Sequence, residues 1–146
     1  QTLLKPVGED QIYEQARATV ESGRFVALLG DDDTIVRELM MHRFKWHGFG
    51  VIGAANGAQV LDLATRHQPN IIVLDRIMPG LEGLAVLKML KTNPSTADIP
   101  VIMLTAKRKP KDIEEGRDAG AVDYIVKPFT PEFVVSRCMR ELRMLN

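Results

Sequence analysis

The chain has 146 residues, enough for one domain with its own core and too few for two ordinary ones. Hydrophobic residues make up 45% and charged residues 26%, the balance expected of a soluble globular protein. Lys plus Arg and Asp plus Glu both number 19, so no net field draws the chain to nucleic acid or to an anionic membrane. No apolar stretch approaches the ~20 residues of a bilayer span, and no signal-peptide pattern opens the chain. The single cysteine, Cys138, excludes an internal disulfide framework and fits a reducing, cytoplasmic compartment.

In chain order, residues 1–24 stand apart as a leader segment ahead of a domain over 25–146. The leader begins at Gln1 rather than Met, which predicts a fragment whose natural start is missing. Its Leu3-Leu4-Lys5-Pro6-Val7 is similar to Ile125-Val126-Lys127-Pro128-Phe129, and the likeness continues for some turns of helix (Ile12 with Val134, Ala16 with Cys138, Val20 with Leu142). Two readings stay open: the tail of a preceding domain of the same kind, and an unrelated amphipathic linker helix.

From Phe25 onward, short apolar runs alternate with helical spacing. The runs Phe25–Leu29, Val51–Ala55, Ile71–Leu74, Val101–Leu104 and Tyr124–Val126 predict five strands. Between the first two, Thr34–His47 carries Val36, Leu39, Met40 and Phe44 on one face; Thr34 or Asp33 would cap it, Gly48 would stop it, and Trp46 and Phe49 would pack its end. The other helical segments are Gly57–His67, Glu82–Lys91 ahead of Asn93-Pro94, the polar Lys111–Ala119 closed by Gly120, and Phe133–Leu145. Cys138 falls on the apolar stripe of the last, which makes it a core residue rather than a reactive thiol. His42, His47 and His67 have no metal-ligand spacing and read as exposed helix residues.

Strands alternating with helices predict an α/β fold, a five-stranded parallel sheet, doubly wound, with helices on both faces. Ligands of such sheets sit beyond the carboxyl ends of the strands. Asp31 and Asp32 follow the first strand, Asp75 ends the third, Thr105 ends the fourth, and Lys127 follows the fifth. Carboxylates crowded into one crevice repel unless a cation joins them, and hard oxygen ligands suit Mg²⁺ or Mn²⁺. Asp33 reads as a helix cap only.

The order of these elements resembles a known family. Asp31-Asp32, Leu74-Asp75-Arg76-Ile77-Met78-Pro79-Gly80, Leu104-Thr105-Ala106 and Val126-Lys127-Pro128-Phe129 together are similar to the receiver domain of bacterial response regulators, a CheY-like, flavodoxin-like fold with strand order 2-1-3-4-5. The resemblance covers Phe25 to the C-terminus. It implies that Asp75 is the phosphoacceptor, served by a histidine kinase or phosphotransfer protein. It implies a metal site of Asp31, Asp32, Asp75 and the Ile77 backbone carbonyl, phosphoryl contacts from Thr105 and Lys127, and a switch formed by Thr105 and Tyr124. For Tyr124 a plain core ring is the other reading.

The resemblance further implies that such a domain catalyses only its own phosphorylation and slow dephosphorylation, and drives an output domain absent from these residues. A homodimer through the face of 111–119 and 130–145 fits this picture; direct nucleic-acid binding and membrane insertion do not. Departures from the family pattern are Gly30, expected to loosen the acidic loop, and the apolar Ile77, expected with Lys107 to tune phosphoryl lifetime. The basic run Lys107-Arg108-Lys109-Pro110-Lys111 either steers an acidic partner or is a solvated loop, the plainer reading. Two other functions compete. A pseudo-receiver would bind partners without phosphorylation, and a Mg²⁺-dependent phosphatase would want a second carboxylate shortly after Asp75, where Arg76 and Ile77 stand.

Overall fold

The structure is a computed structural model that describes residues 25–143. The leader of 1–24, with its two readings, and the last residues of the final helical segment lie outside the described residues.

Five strands, β1 (Val26–Gly30), β2 (Gly50–Ala54), β3 (Ile71–Asp75), β4 (Val101–Thr105) and β5 (Asp123–Val126), alternate with five helices. The helices are α1 (Thr34–Trp46), α2 (Gly57–His67), α3 (Gly83–Thr92), α4 (Pro110–Asp118) and α5 (Pro131–Glu141). The strands form one parallel sheet in the order β2-β1-β3-β4-β5. The unbroken apolar runs follow from burial on both faces. Val26 and Leu28 of β1, Ile72 and Leu74 of β3, and Val101 and Met103 of β4 pack with α2 and α3. Their neighbours Ala27 and Leu29, Ile71 and Val73, and Ile102 and Leu104 pack with Met40 and Phe44 of α1 and Val134, Val135 and Cys138 of α5.

Helix ends follow local chemistry. Asp33 caps α1, its side chain accepting from the amides of Ile35 and Val36. Asn56 caps α2 and Thr130 caps α5, the latter with Pro131 in the first turn. This Thr-Pro pair starts α5 ahead of the expected Phe133.

Four expectations need correction. Leu39 is 58% exposed and does not share the buried face of α1, which is carried by Met40 and Phe44. Phe49 is buried and meets Phe44 edge-on at 5.1 Å, but Trp46 is 70% exposed, with the Arg43 guanidinium 5.2 Å from its ring. His47 and His67 are half-buried rather than exposed, and His47 Nε2 lies 2.9 Å from Glu132 Oε1 of α5. Gly30 does not loosen the chain: a Cβ there would stand 2.7 Å from Val60 Cγ2 and 3.3 Å from Leu74 Cδ1, so its bareness lets α2 lie close on the sheet. Cys138 is a free, fully buried thiol, and burial pushes its pKa up, away from reactivity.

Candidate functional site

The strand order reverses at β1, and Asp31 and Asp75 stand beside that reversal at the carboxyl edge. β1 pairs with β3 through Gly30 and Leu74, so the residues that follow, Asp31 and Asp75, arrive side by side. The Asp31 amide donates to the carbonyl of Ala54 at 3.0 Å, extending the β1–β2 pairing by one residue. Its own carbonyl accepts from the Arg37 guanidinium of α1. Asp31 Oδ1 accepts from the Asp33 amide at 2.9 Å, which folds the acidic loop back toward the sheet.

Asp75 is buried and its two carboxylate oxygens have separate partners. Oδ1 accepts from the Ile77 amide at 3.0 Å, and Oδ2 is 3.1 Å from Lys127 Nζ. Asp31, Asp32 and Asp75 each place a carboxylate oxygen within 4.8 Å of the others. Asp31 and Asp75 are buried and Asp32 is exposed. The Asp31 carboxyl is pushed up to about 6, first by burial and then by the neighbouring charges of Asp75 and Asp32. The Asp33 amide and Lys127 oppose that rise. Three carboxylates converging where one already resists ionisation are a donor set for a hard divalent cation, and the residues present fit such an ion.

Thr105 is fully buried at the end of β4, and its Oγ1 accepts from the Lys107 amide at 3.0 Å. The Thr105 carbonyl accepts from the Lys127 amide at 2.8 Å, so the lysine is placed by β4–β5 pairing. The Lys127–Pro128 peptide is cis, and the Lys127 carbonyl accepts from Arg108 at 3.1 Å. Tyr124 is half-buried; its hydroxyl donates to the Lys107 carbonyl at 3.2 Å and accepts from Arg76 at 3.0 Å. The structure thus gathers Asp31, Asp32, Asp75, Thr105 and Lys127 at one edge, with Tyr124 tied to the backbone of the loop after Thr105. Ile77 is half exposed, and its peptide unit lies beside Asp75 through the amide bond already described. Lys107 enters through its backbone, as donor to Thr105 and acceptor from Tyr124.

Two site neighbours escaped the sequence reading. Arg37 braces the acidic loop, and nothing in its helical position marks it. Arg76 is 2% exposed and is the one buried cation among the described residues. Its Nη1 donates to the Asp112 carbonyl at 2.9 Å and to Tyr124, and its Nη2 meets Glu115 Oε1 at 2.7 Å. Burial works against its charge, but the bonds to Glu115 and Tyr124 outweigh that and raise its pKa. A charged residue directly after a buried strand was the available signal.

A doubly wound parallel sheet with this acidic crest, threonine and lysine is a flavodoxin-like module with a cation-compatible edge. The chain matches the response regulator receiver domain over residues 27–138, and it belongs to that family. It is 36% identical over 116 residues to the phosphate regulon transcriptional regulatory protein PhoB of Pseudomonas aeruginosa, covering 80% of this chain and 51% of that protein. It is 38% identical over 116 residues to the response regulator MprA of a Mycobacterium species, covering 80% of this chain and 50% of that one. The chain therefore spans about half the length of the curated relatives it matches. Among solved structures, the Vibrio cholerae chemotaxis protein CheY4 superposes with a TM-score of 0.76 at 29% identity, covering 80% of this chain and 98% of that one. The receiver domain of Francisella response regulator 1452 gives 0.75 at 29% identity, covering 82% and 98%.

Proposed function

We propose that Asp75 accepts a phosphoryl group from a histidine kinase or phosphotransfer protein. The observation that carries this reading is a buried aspartate with one oxygen on Lys127 and two further carboxylates within 4.8 Å. A carboxylate is a weak nucleophile, so the site works by positioning and charge neutralisation. An Asp75 oxygen attacks phosphorus, an acyl-phosphate P–O bond forms, and the donor's P–N bond breaks with its electron pair leaving on the imidazole nitrogen. Lys127 supplies a cationic donor to a phosphoryl oxygen, and the Thr105 hydroxyl, which accepts from Lys107 and keeps its own proton, donates to another. Asp31, Asp32 and Asp75 would hold Mg²⁺ or Mn²⁺, which when bound neutralises charge on the transferring group. The Ile77 carbonyl is assigned to the same ion on the family resemblance.

The domain is a switch and turns over no metabolite; its chemistry is its own phosphorylation and slow dephosphorylation. The phosphatase reading is disfavoured because Arg76 and Ile77, not a second carboxylate, follow Asp75. The pseudo-receiver reading is disfavoured because Asp31, Asp32, Asp75, Thr105 and Lys127 are all present and brought together. α1 exposes Ile35, Leu39 and Trp46 along one side, an apolar surface of the kind that a protein partner covers. Thr105 and Tyr124 are assigned as the switch, acting on α4, β5 and α5. That face is also the one through which a homodimer or an output domain, DNA-binding or otherwise, would be controlled in the cytoplasm. No helix among the described residues is long and apolar enough to cross a membrane.

Intact-protein mass after incubation with the divalent ion and acetyl phosphate tests the reading. One added phosphoryl group that requires both metal and Asp75, and is absent in Asp75→Asn, is expected. An unmodified protein that a cognate kinase also fails to label would overturn it.

A further inference from the structure

α4 is attached to the domain in an unusual way. It buries one residue, Gly116, which lies flat on the Tyr124 ring: a Cβ there would stand 2.7 Å from Cδ2 and Cε2. Its N-cap, Lys109, makes no side-chain capping bond. The other α2-to-α4 side helices bring rows of Val and Leu to the sheet, and α4 does not. A helix with so little apolar area must be placed by polar contacts.

Those contacts converge on Arg76. Its amide donates to the Leu104 carbonyl at 2.8 Å and its carbonyl accepts from the Gly83 amide at 2.8 Å, so its backbone is gripped by β4 and by the start of α3. From that fixed base the guanidinium reaches the Asp112 carbonyl and the Glu115 carboxylate, one helical turn apart on α4, and the Tyr124 hydroxyl of β5. Its Nε faces Glu82 Oε1 at 4.0 Å and has no closer partner among the described residues. A planar guanidinium holds several acceptors in one geometry, which a lysine ammonium does not.

We infer that Arg76 is the positioning residue for α4: its clamp on Glu115, Asp112 and Tyr124 makes the placement of that helix depend on the backbone of the phosphoacceptor itself. The second half of this inference rests on the reading of Asp75 as phosphoacceptor. Asp75 and Arg76 share a peptide bond, so a change in how the Asp75 carboxylate is held is passed to α4 through one residue. The coupling needs no contact between α4 and the phosphoryl group.

Hydrogen exchange over residues 110–118, measured on the full chain with and without acetyl phosphate and Mg²⁺, tests this in Arg76→Met, Arg76→Lys and Glu115→Gln. Without acetyl phosphate, all three are expected to exchange about fivefold or more faster than wild type in 110–118, with β1 and β3 unchanged, because losing a clamp opens a weakly packed element locally. Intact mass should show Glu115→Gln labelled as fully as wild type. The change that phosphorylation causes in 110–118 exchange should fall to less than about half of the wild-type change, as expected when a coupling element is removed. Should Arg76→Met fail to fold, Glu115→Gln decides alone. Wild-type exchange rates in Glu115→Gln, or a fully retained phosphorylation response, would overturn the inference. If wild type takes no phosphoryl group, the phosphoacceptor reading fails, and the unphosphorylated rates still decide the role of Arg76 in holding α4.

Discussion

Lys127 and Asp75 stand 52 positions apart and meet at 3.1 Å although β4 lies between their strands. The pair is lopsided. The Asp75 side chain is 4% exposed and that of Lys127 is 39%, so the carboxylate is fixed while the ammonium sits at the rim. Such an ammonium offsets the acidic cluster and stays able to follow a new anion.

Removing Lys127 should therefore have two effects of opposite sign. Lys127→Met should bind Mg²⁺ several-fold more tightly, since a competing positive charge near the carboxylates is gone. Phosphoryl acceptance from acetyl phosphate should slow about tenfold or more, because a donor to the transferring group is lost. Metal titration and initial labelling rates check both; tighter metal binding with unchanged labelling would remove Lys127 from the chemistry.

Asp31 gives a pH dependence with a definite sign. Its carboxyl is raised from 3.8 to about 6, so the folded protein binds this proton more tightly than the unfolded chain. Ionised Asp31 then costs stability, in full above about 6; the cost shrinks as pH falls below about 6 and is gone only below 3.8, the unfolded value. Metal-free Asp31→Asn, whose amide oxygen can still accept from Asp33, should be more stable than wild type at neutral pH by about 1–2 kcal/mol, with the gap narrowing below about pH 6 and closed by about pH 4. Urea unfolding across pH tests this. Saturating Mg²⁺ should stabilise wild type and leave the variant nearly unmoved.

Ile77 is half exposed beside Asp75 and offers water no polar partner from its side chain. Ile77→Asn should speed loss of the acyl phosphate about tenfold, the equivalent of ~1.4 kcal/mol of barrier. Decay of the labelled protein, followed by intact mass after removal of acetyl phosphate, measures it. An unchanged half-life would sink the assignment.

Gly30 makes a prediction about packing. Its hypothetical Cβ meets Val60, itself fully buried, and Leu74. Gly30→Ala should lower the unfolding free energy by about 1–3 kcal/mol through overpacking, and Gly30→Ala with Val60→Ala should recover part of it. A stabilised Gly30→Ala would mean that α2 can shift without cost.

Much of the site was legible because its chemistry is carried by strand ends. Each apolar run stops at a residue whose type is wrong for a core, and a parallel sheet sends all those ends to one edge. That rule placed Asp31, Asp75, Thr105 and Lys127 at one edge, while the roles of Thr105 and Lys127 came from the family resemblance; the caps Asp33 and Gly48 needed only local chemistry. What was hidden depended on sequence-distant partners. Gly30 read as a weak point because Val60 could not be placed against it. Trp46 read as packed because the helical pattern cannot tell a stripe that meets the sheet from one that faces water. Arg76 carried no expected partners, since its acceptors on α4 and β5 are brought near only by the completed fold.

Gly83 opens α3 where the helix presses on the site from behind. A Cβ there would stand 2.6 Å from Arg76 Cα and closer still to the Asp75 carbonyl oxygen, backbone atoms that cannot swing aside. Position 83 carries no charge, donates no side chain and sits outside every group that would touch metal or phosphate. Yet any other residue there must push the peptide between Asp75 and Arg76 out of line. A genetic screen that inspects Asp31, Asp32, Asp75, Thr105 and Lys127 would score a Gly83→Ala allele as intact, and its silence would be blamed on a missing kinase.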